Sequence, residues 1–407
     1  MNVKIEKSTA RGRVNAPPSK SYAHRLLICA ALSGDNTRVD NLSFSEDIYA
    51  TLDCLKSLGA SYTLENNSVI FYKNDGFSAD GKVFLCRESG STLRFFIPIA
   101  LALGGSFTFK GAKRLIARGI SVYEEICKEQ VISLSFTEDS ISFSGKLNGG
   151  IFNVRGDISS QFITGLMFAL PMLENDSVVN ITTKLESRPY VDITADAISR
   201  FGIKAEIKDR EIFICGNQKY NPVSAEVEGD YSNSAFLHAF NILGGDVDVF
   251  GLNGNSAQGD KVYISMFEML KRGAPTLDIS SCPDLGPILF ALAGVKNGAY
   301  FTGTSRLKIK ESDRCEAMEE ELSKFGIKVY VNENTVKVLP WAKPTAPCEI
   351  LKGHNDHRIV MALSVILTLV GGEIEGAEAV SKSYPDFFSV IKELGIKVNS
   401  DEFFKGQ

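Results

Sequence analysis

The segment Ser19–Arg25 combines residue types that are suited to binding a small anion. It reads Ser-Lys-Ser-Tyr-Ala-His-Arg, follows Pro17-Pro18 and precedes an apolar run from Leu26 to Leu32. Proline cannot continue a strand ladder, so we expect a helix to begin here with a serine at its cap. The N-terminus of a helix presents unpaired N–H groups and the positive end of its dipole, to which Lys20 and Arg25 would add charge. Taken alone, the same pattern also fits an ordinary capped surface helix.

Similar polar clusters recur where other apolar segments begin, and most combine Arg or Lys with Ser, Gly or a carboxylate. They are Glu88-Ser89-Gly90-Ser91-Thr92-Leu93-Arg94, Asp157-Ile158-Ser159-Ser160-Gln161, Ser187-Arg188-Pro189-Tyr190, Pro283-Asp284-Leu285-Gly286-Pro287, Lys310-Glu311-Ser312-Asp313-Arg314, Asn355-Asp356-His357-Arg358 and Ser381-Lys382-Ser383-Tyr384-Pro385. The net charge of the whole chain is −5, so the cationic residues at these helix starts are not part of a generally basic surface. Their number indicates binding of small anions through Arg–phosphate or Arg–carboxylate pairs. Asp284 and Glu311 lie among these cations, so they should stay ionised and are candidates for proton transfer.

The overall composition excludes several classes of protein. The 407 residues are 44% hydrophobic and 23% charged, which is typical of a globular protein, and the negative net charge disfavours a nucleic-acid partner. The longest apolar runs are well short of the ~20 residues that a membrane span needs, and the first residues lack a signal-peptide pattern. The eight cysteines have no CxxC spacing and indicate reduced thiols. We therefore expect a cytoplasmic protein with no membrane partner.

A repeat organises the chain around these clusters. Helical patterns end in glycine and are followed by short β-branched strands, with the glycines at Gly59, Gly202, Gly273, Gly326 and Gly395. A sixth copy without a terminal glycine precedes Gly202. Glycine accepts the left-handed conformation that ends a helix, and each helix has an apolar face that one unit cannot bury alone. The pattern predicts an α/β fold of six repeats in two groups of three, with helices inside and sheets outside.

Prolines mark the expected boundaries between the two groups. Pro17-Pro18 and Asn221-Pro222 bracket the middle three repeats, and the segment before them is too short to fold alone. We predict one lobe from residues 1–16 with 224–407 and a second lobe from 17–223, with an active-site cleft between them. A chain that crosses twice between lobes forms a hinge suited to closing over a ligand.

Taken in order, the motifs resemble those of the 5-enolpyruvylshikimate-3-phosphate (EPSP) synthase family of enolpyruvyl transferases. The matching segments run nearly end to end and are SKSYAHR, ESGSTLR, DISSQF, SRPY, PDLGP, KESDR, NDHR and SKSYPDF. The family fold is a two-lobed inside-out α/β barrel with three βαβαββ units in each lobe, which agrees with the six repeats. The resemblance implies transfer of the enolpyruvyl (1-carboxyvinyl) group from phosphoenolpyruvate to the 5-hydroxyl of shikimate 3-phosphate. Phosphate is released, and the product serves chorismate biosynthesis.

The resemblance also implies roles for individual residues. Shikimate 3-phosphate would be bound by Lys20, Ser21, Arg25, Ser159, Ser160, Gln161, Ser187, Tyr190, Asp284, Arg306 and Lys310. Phosphoenolpyruvate would be bound by Lys20, Gly90, Arg94, Arg118, Gln161, Arg314, Arg358 and Lys382. The implied catalytic residues are Asp284 as base for the hydroxyl, Glu311 as proton shuttle at C3, His357 as the residue that orients Glu311, and Lys20 as acid or charge stabiliser. No metal or organic cofactor is implied, and we expect a monomer whose partners are these two small anions.

Some positions depart from the family pattern or carry a separate expectation. Gly119 follows Arg118 where proline is usual, and Arg306 stands where asparagine is frequent. Gly90 leaves room beside the implied phosphoenolpyruvate site, so the resemblance implies sensitivity to glyphosate. His24 is expected on the exterior of its helix.

Three alternatives remain open at this point. UDP-N-acetylglucosamine enolpyruvyl transferases share the fold but have Lys-Asn where this chain has Lys20-Ser21, and they lack the SSQ triplet. RNA 3′-phosphate cyclases have related repeats, but the acidic net charge argues against a nucleic-acid substrate. A non-catalytic anion-binding scaffold would be expected to have lost Lys20, Asp284 or Glu311, and this chain retains all three.

Overall fold

The computed structural model describes residues 1–400, which form two compact units. Unit 1 consists of Met1–Ser19 together with the chain from Gly229 onward, and unit 2 is Lys20–Glu228. The helices of the described part are α1 (Lys20–Leu32), α2 (Glu46–Leu58), α3 (Gly90–Leu103), α4 (Lys113–Ala117), α5 (Ser121–Glu129), α6 (Ser160–Ala169), α7 (Arg188–Arg200), α8 (Tyr231–Ile242), α9 (Tyr263–Arg272), α10 (Gly286–Val295), α11 (Arg314–Ser323), α12 (His357–Val370) and α13 (Phe387–Glu393). The strands are β1 (Asn2–Ile5), β2 (Arg11–Asn15), β3 (Thr37–Asp40), β4 (Ser61–Glu65), β5 (Ser68–Tyr72), β6 (Val83–Arg87), β7 (Gly105–Gly111), β8 (Ser133–Phe136), β9 (Ser140–Gly145), β10 (Ile151–Val154), β11 (Ser177–Ile181), β12 (Ala205–Ile207), β13 (Glu211–Ile214), β14 (Ala225–Glu226), β15 (Asp246–Phe250), β16 (Thr276–Asp278), β17 (Ala299–Thr302), β18 (Val329–Val331), β19 (Thr335–Val338), β20 (Leu351–Lys352), β21 (Gly372–Glu375) and β22 (Val398–Ser400).

Unit 2 contains three four-stranded sheets of the same design. Their strand orders are β14-β3-β5-β4, β6-β7-β9-β8 and β10-β11-β13-β12. In each sheet the first two strands pair in parallel and the last two form an antiparallel hairpin, as in the pairing of β6 with β7, β7 with β9 and β9 with β8. A parallel pair needs a crossover, which α3 supplies between β6 and β7, whereas the hairpin needs only a short turn. This is the strand pattern of the predicted repeat.

Up to residue 400, unit 1 contains two four-stranded sheets, β16-β17-β19-β18 and β20-β21-β1-β22, and the two-stranded sheet β15-β2. The first strands of the chain complete two of them, since β1 pairs antiparallel with β21 and β22, and β2 pairs in parallel with β15. The unit limits at 19/20 and 228/229 lie a few residues after the boundaries expected from the prolines. The lobe limits of the sequence analysis and the cleft between lobes stay predictions.

The helices that follow the polar clusters lie inside each unit. In unit 1, α10 and α12 are buried around nearly their whole circumference. In unit 2, α3 and α6 are similarly buried. They pack so closely that a Cβ atom added at Gly165 of α6 would lie only 2.3 Å from the carbonyl oxygen of Arg94 in α3. Strands such as β6 alternate buried and exposed residues, so one face of β6 packs inward and the other faces solvent, whereas β2, β4 and β8 are largely exposed.

The predicted glycine helix ends are right at four of the five positions. Gly59, Gly202, Gly326 and Gly395 have φ values of +115°, +83°, +81° and +88°. Gly273 has φ of 175°, which is extended backbone, so the expected left-handed end is wrong there. After Ala274 and Pro275 the chain enters β16, a strand of the sheet β16-β17-β19-β18. Within residues 1–400, no helix has both the length and the apolar character of a membrane-spanning segment.

Candidate active site

The start of α1 in unit 2 carries a lysine that is already paired. Lys20 Nζ lies 2.8 Å from Asp47 Oδ2 in the first turn of α2, and both side chains are about one-sixth exposed. One turn after Lys20, His24 is buried rather than exterior, so the expectation for that residue is wrong. Its ring contacts Thr51, which lies one turn after Asp47. Two successive contacts therefore fix the register of α1 against α2.

Two arginines of unit 2 converge on the N-terminus of α3. A Cβ atom at Gly90 would lie 3.0 Å from Arg94 Nη1 and 3.2 Å from Arg118 Nη1. Arg94 Nη1 donates to Gln161 Oε1 at 2.7 Å, and Gln161 Nε2 donates to Ser91 Oγ at 3.0 Å. Arg118 Nε is buried and has no hydrogen-bond partner within residues 1–400. Because buried donors are normally paired, this arrangement is suited to an anion held beside Gly90.

Serines also precede α6 and α7 of unit 2. Ser159 caps α6 by accepting from the Gln161 N–H at 3.3 Å, and Ser160 is buried directly after it. Ser187 precedes α7 with a left-handed φ of 56°, and its carbonyl accepts from the Tyr190 N–H at 3.0 Å. Both helix starts therefore place a serine at the first turn of a helix, a position suited to a phosphate.

Arg25 has a largely internal role. Its Nε donates to Thr194 at 2.8 Å, its Nη1 to the Ser21 carbonyl at 2.7 Å, and its Nη2 to the Tyr190 carbonyl at 3.1 Å. A further Nη2 contact with Thr164 is 3.3 Å long, and burial lowers the pKa of Arg25 to about 10. With these contacts Arg25 joins α1, α6 and α7, which leaves few of its five donors for a substrate.

Arg314 organises the candidate residues of unit 1. Its Nη1 donates to Asp284 at 2.8 Å, its Nη2 to Glu311 at 2.9 Å and its Nε to Asp356 at 2.8 Å. The Arg314 side chain is 1% exposed and Asp356 is 0% exposed, whereas Asp284 and Glu311 are 20% and 26% exposed. The arginine is therefore anchored from the buried side and holds two carboxylates at the accessible side.

Further cations surround Asp284. Lys310 Nζ lies 3.3 Å from Asp284 Oδ1, and Arg358 Nη2 lies 3.9 Å from Asp284 Oδ2. Burial alone would raise the pKa of Asp284, but the positive charges of Lys310, Arg314 and Arg358 hold it well below the ordinary 3.8. Asp284 is consequently ionised at neutral pH.

The remaining predicted residues of unit 1 lie on neighbouring segments. Arg306 is buried in a short 3-10 helix, and His357 is buried in the first turn of α12 with its Nδ1 4.0 Å from Asp356 Oδ1. Lys382 Nζ donates to the Asn355 carbonyl at 2.8 Å, which attaches it to the loop before α12. Asp356 caps α12 by accepting from the Arg358 N–H at 2.9 Å.

Sequence reasoning gave no role to several residues that the structure shows in contact with the predicted ones. Asp47 pairs with Lys20, Asp356 anchors Arg314, and Asn233 Oδ1 accepts from Arg358 Nη1 at 3.0 Å. Asp356 was within a quoted motif, and its position directly before an apolar helix was a usable capping signal. The partners of Lys20 and Arg358 are far from them in sequence, so no spacing could have identified them.

Asp260 is a further buried carboxylate of unit 1. It accepts a short hydrogen bond from the Ser232 hydroxyl, while its Oδ1 is buried without a hydrogen-bond partner among residues 1–400. Burial, together with the negative charge of Asp284, raises its pKa to about 7. Of the two carboxylates, Asp284 is thus ionised at neutral pH, whereas Asp260 keeps its proton to a much higher pH than an ordinary carboxyl does.

Comparisons with known proteins identify the relatives of this chain. The family model described as EPSP synthase (3-phosphoshikimate 1-carboxyvinyltransferase) matches residues 5–391. A protein named 3-phosphoshikimate 1-carboxyvinyltransferase from Clostridium kluyveri is 40% identical, over 100% of this chain and 99% of its own length. One of the same name from Clostridium acetobutylicum is also 40% identical, over 97% of each chain. The family resemblance read from the motifs is confirmed.

Solved structures show the same fold at much lower identity. An EPSP synthase from Acinetobacter baumannii matches with a TM-score of 0.79 at 20% identity, covering 98% of this chain and 100% of that one. The enolpyruvyl transferase NikO from Streptomyces tendae matches with a TM-score of 0.77 at 13% identity, covering 98% of each chain. The predicted fold class, a two-lobed inside-out α/β barrel of six repeats, is confirmed.

Proposed function

The chain belongs to the EPSP synthase (3-phosphoshikimate 1-carboxyvinyltransferase) family, and from this premise we propose how its residues carry out the reaction of that family. The enzyme transfers the 1-carboxyvinyl group of phosphoenolpyruvate to the 5-hydroxyl of shikimate 3-phosphate and releases phosphate. The observation that supports this best is the Arg314 cluster, because it holds two partly exposed carboxylates, Asp284 and Glu311, among cations. Such a group can bind anions and move protons without a metal ion.

The Asp284 carboxylate is the proposed base for the 5-hydroxyl. Its depressed pKa makes it a weak base in the ligand-free protein, because the same cations that keep it ionised also oppose protonation. Anionic substrates that bind Arg314, Lys310 and Arg358 offset this positive charge. The pKa of Asp284 then rises in the complex, and the carboxylate becomes a stronger base at the stage when the hydroxyl proton must leave.

Glu311 is the proposed proton shuttle at C3 of phosphoenolpyruvate. In its protonated form Glu311 gives a proton to C3 as the hydroxyl oxygen bonds to C2 and Asp284 takes the hydroxyl proton, which yields a tetrahedral intermediate. Glu311 regains its proton from C3 as the C2–O bond to phosphate breaks, and Asp284 passes the hydroxyl proton to the departing phosphate. Its bond to Arg314 Nη2 fixes the carboxylate orientation. His357 is proposed to orient Glu311, and Lys20 to stabilise the charge of the departing phosphate.

The substrate contacts follow the two clusters of unit 2 and the cations of unit 1. Gly90, Arg94, Arg118 and Gln161 form one connected group, which we assign to phosphoenolpyruvate together with Lys20, Arg314, Arg358 and Lys382. The serine helix starts are assigned to shikimate 3-phosphate through Ser159, Ser160 and Ser187, with Ser21, Arg25, Tyr190, Arg306 and Lys310. Arg25 contributes mainly by fixing α1, α6 and α7 around that ligand. A monomer that acts in the cytoplasm is part of the same proposal.

The test is release of inorganic phosphate from phosphoenolpyruvate by the purified protein. With shikimate 3-phosphate we expect one phosphate per substrate consumed, together with a product carrying the carboxyvinyl ether. With UDP-N-acetylglucosamine in its place we expect none. Turnover of the sugar nucleotide instead would favour the related transferase, and binding of both anions without phosphate release would favour the non-catalytic scaffold.

A further inference from the structure

Four buried side chains, His24, Thr51, Thr92 and Ser89, form a hydrogen-bond chain that leads from α1 to the N-terminus of α3. His24 Nδ1 lies 2.7 Å from Thr51 Oγ1, which lies 2.9 Å from Thr92 Oγ1. The Thr92 hydroxyl donates to Ser89 Oγ at 2.8 Å. All four side chains are at most 1% exposed. Ser89 is the N-cap of α3, directly before Gly90, so the chain ends beside the proposed phosphoenolpyruvate group.

The number of hydroxyl hydrogens allows only one donor-to-acceptor direction along this hydrogen-bond chain. Ser89 Oγ accepts from the Thr92 N–H at 3.2 Å and from the Thr92 hydroxyl, so the one hydrogen of Thr92 Oγ1 is used. Thr51 must then donate to Thr92, because the contact between their hydroxyls needs one hydrogen. The hydrogen of Thr51 is used in turn, so His24 Nδ1 must be the protonated nitrogen that donates to Thr51. The chain therefore requires a neutral His24 in the Nδ1–H form.

The surroundings of His24 agree with this form. Its Nε2 is buried and has no hydrogen-bond partner among the residues that the structure describes. An unprotonated ring nitrogen is left bare there at less cost than an N–H donor or a charged ring would be. Burial, together with the positive charges of Lys20 and Arg25, lowers the pKa of His24 well below 6.5. The ring thus stays neutral across the physiological range.

The direction of this hydrogen-bond chain determines what the Ser89 hydroxyl can do. Because its oxygen accepts twice, its own hydroxyl hydrogen is not used by any residue in the described part of the chain. Two guanidinium groups, those of Arg94 and Arg118, lie against the next residue, Gly90. A hydroxyl hydrogen at this position is suited to an anionic oxygen.

We propose that Ser89 is a further anion-binding residue of the site. His24, acting through Thr51 and Thr92, is the positioning residue that keeps the Ser89 hydroxyl hydrogen available to phosphoenolpyruvate. The identity of the anion rests on the proposed function, whereas the donor-to-acceptor direction of the hydrogen-bond chain does not.

The ring form of His24 is tested without any turnover. Long-range ¹H–¹⁵N spectra of the full-length, histidine-labelled protein near neutral pH report which ring nitrogen carries hydrogen, and His24→Asn identifies the signal among the four histidines. We expect a proton on Nδ1, a bare Nε2, and no titration between about pH 6 and 8. An Nε2–H ring or a charged ring would overturn the proposal.

Kinetics test the link to the substrate. Thr51→Val keeps the shape of the side chain but removes the hydroxyl, and Thr51→Ser is the matched control that retains it. We expect Thr51→Val and Ser89→Ala each to raise the KM for phosphoenolpyruvate about tenfold, the size of one hydrogen bond to an anion. The KM for shikimate 3-phosphate should stay unchanged, and Thr51→Ser should restore wild-type values.

A double variant decides whether Thr51 acts through Ser89. Thr51→Val in the Ser89→Ala background should raise the KM for phosphoenolpyruvate no further, because the hydroxyl that Thr51 positions is already gone. Additive effects, or equal rises for both substrates, would overturn the proposal. Should Thr51→Val fail to fold in a thermal-unfolding control, Ser89→Ala and the histidine spectra still decide. If the wild-type protein released no phosphate, that result would instead refute the proposed function. The histidine spectra would still decide the direction of the hydrogen-bond chain.

Discussion

Replacing the buried Asp260 by asparagine should make the stability of unit 1 less dependent on pH. In the folded protein the pKa of Asp260 is raised from 3.8 to about 7, first by burial and then by the charge of Asp284. Below pH 3.8 both folded and unfolded chains hold the proton. Between 3.8 and about 7 the folded chain keeps a proton that the unfolded chain has released, so the free energy of unfolding falls as pH rises. Above about 7 this contribution no longer changes.

The size of the effect follows from the same values. Each pH unit in that interval is worth about 1.4 kcal/mol, so from pH 5 to pH 8 the wild-type protein should lose about 3 kcal/mol that Asp260→Asn does not lose. Asparagine has nearly the same shape and its oxygen can still accept from Ser232, so the comparison isolates the charge. The variant should also be the more stable protein at pH 8.

Urea unfolding followed by tryptophan fluorescence measures this directly. Trp341 is the single tryptophan of the chain, lies in unit 1, and donates through Nε1 to the Phe325 carbonyl at 2.9 Å. Asp246→Asn, at an exposed position of β15, is the matched control and should behave as the wild type. Equal pH dependence in the wild type and in Asp260→Asn would refute the reasoning.

Two further substitutions test the candidate site. Asp356→Asn can still cap α12 but loses the charge opposite Arg314, so we expect a loss of about 3 kcal/mol in unfolding free energy and at least about tenfold in kcat/KM, measured by urea titration and phosphate release. Unchanged activity would show that the anchoring of Arg314 does not matter. Gly90→Ala places a methyl group 3.0 Å from Arg94 Nη1, so glyphosate inhibition should weaken at least about tenfold while the KM for phosphoenolpyruvate rises a few-fold. Gly254→Ala, where the added Cβ meets nothing within 4 Å, is the control, and unaltered inhibition of Gly90→Ala would count against the assignment of that site.

Much of the fold was predictable because its signals are local. A glycine after an apolar helical stretch predicted the helix ends at Gly59 and Gly202, and the β-branched residues beyond them predicted the hairpins β4–β5 and β12–β13. Gly273 instead has extended backbone and is followed by β16, a difference that the glycine pattern alone does not reveal. The strand partners of β1 and β2 come from the other end of unit 1. Such pairings are long-range and have no local signature.

The residues of the candidate site could be proposed from the sequence, whereas most contacts between them could not. Arg314 stood out as a cation next to Glu311, yet its anchor Asp356 is 42 residues away. Arg25 was read as a substrate ligand, whereas most of its donors bind the protein itself. His24 looked like an exterior residue because one helix turn of sequence does not show which helices cover it. Partners that come from different helices are set by packing, so they are visible only in the folded protein.

The central claim is that Asp284 and Glu311, held by Arg314, carry the proton transfers of carboxyvinyl transfer. The most direct test is the initial rate of phosphate release from phosphoenolpyruvate and shikimate 3-phosphate by the Asp284→Asn/Glu311→Gln protein, compared with the wild type. Both replacements keep side-chain size and remove only the base, so we predict a rate lower by about a thousandfold or more. A double variant that turns over at the wild-type rate would contradict the account.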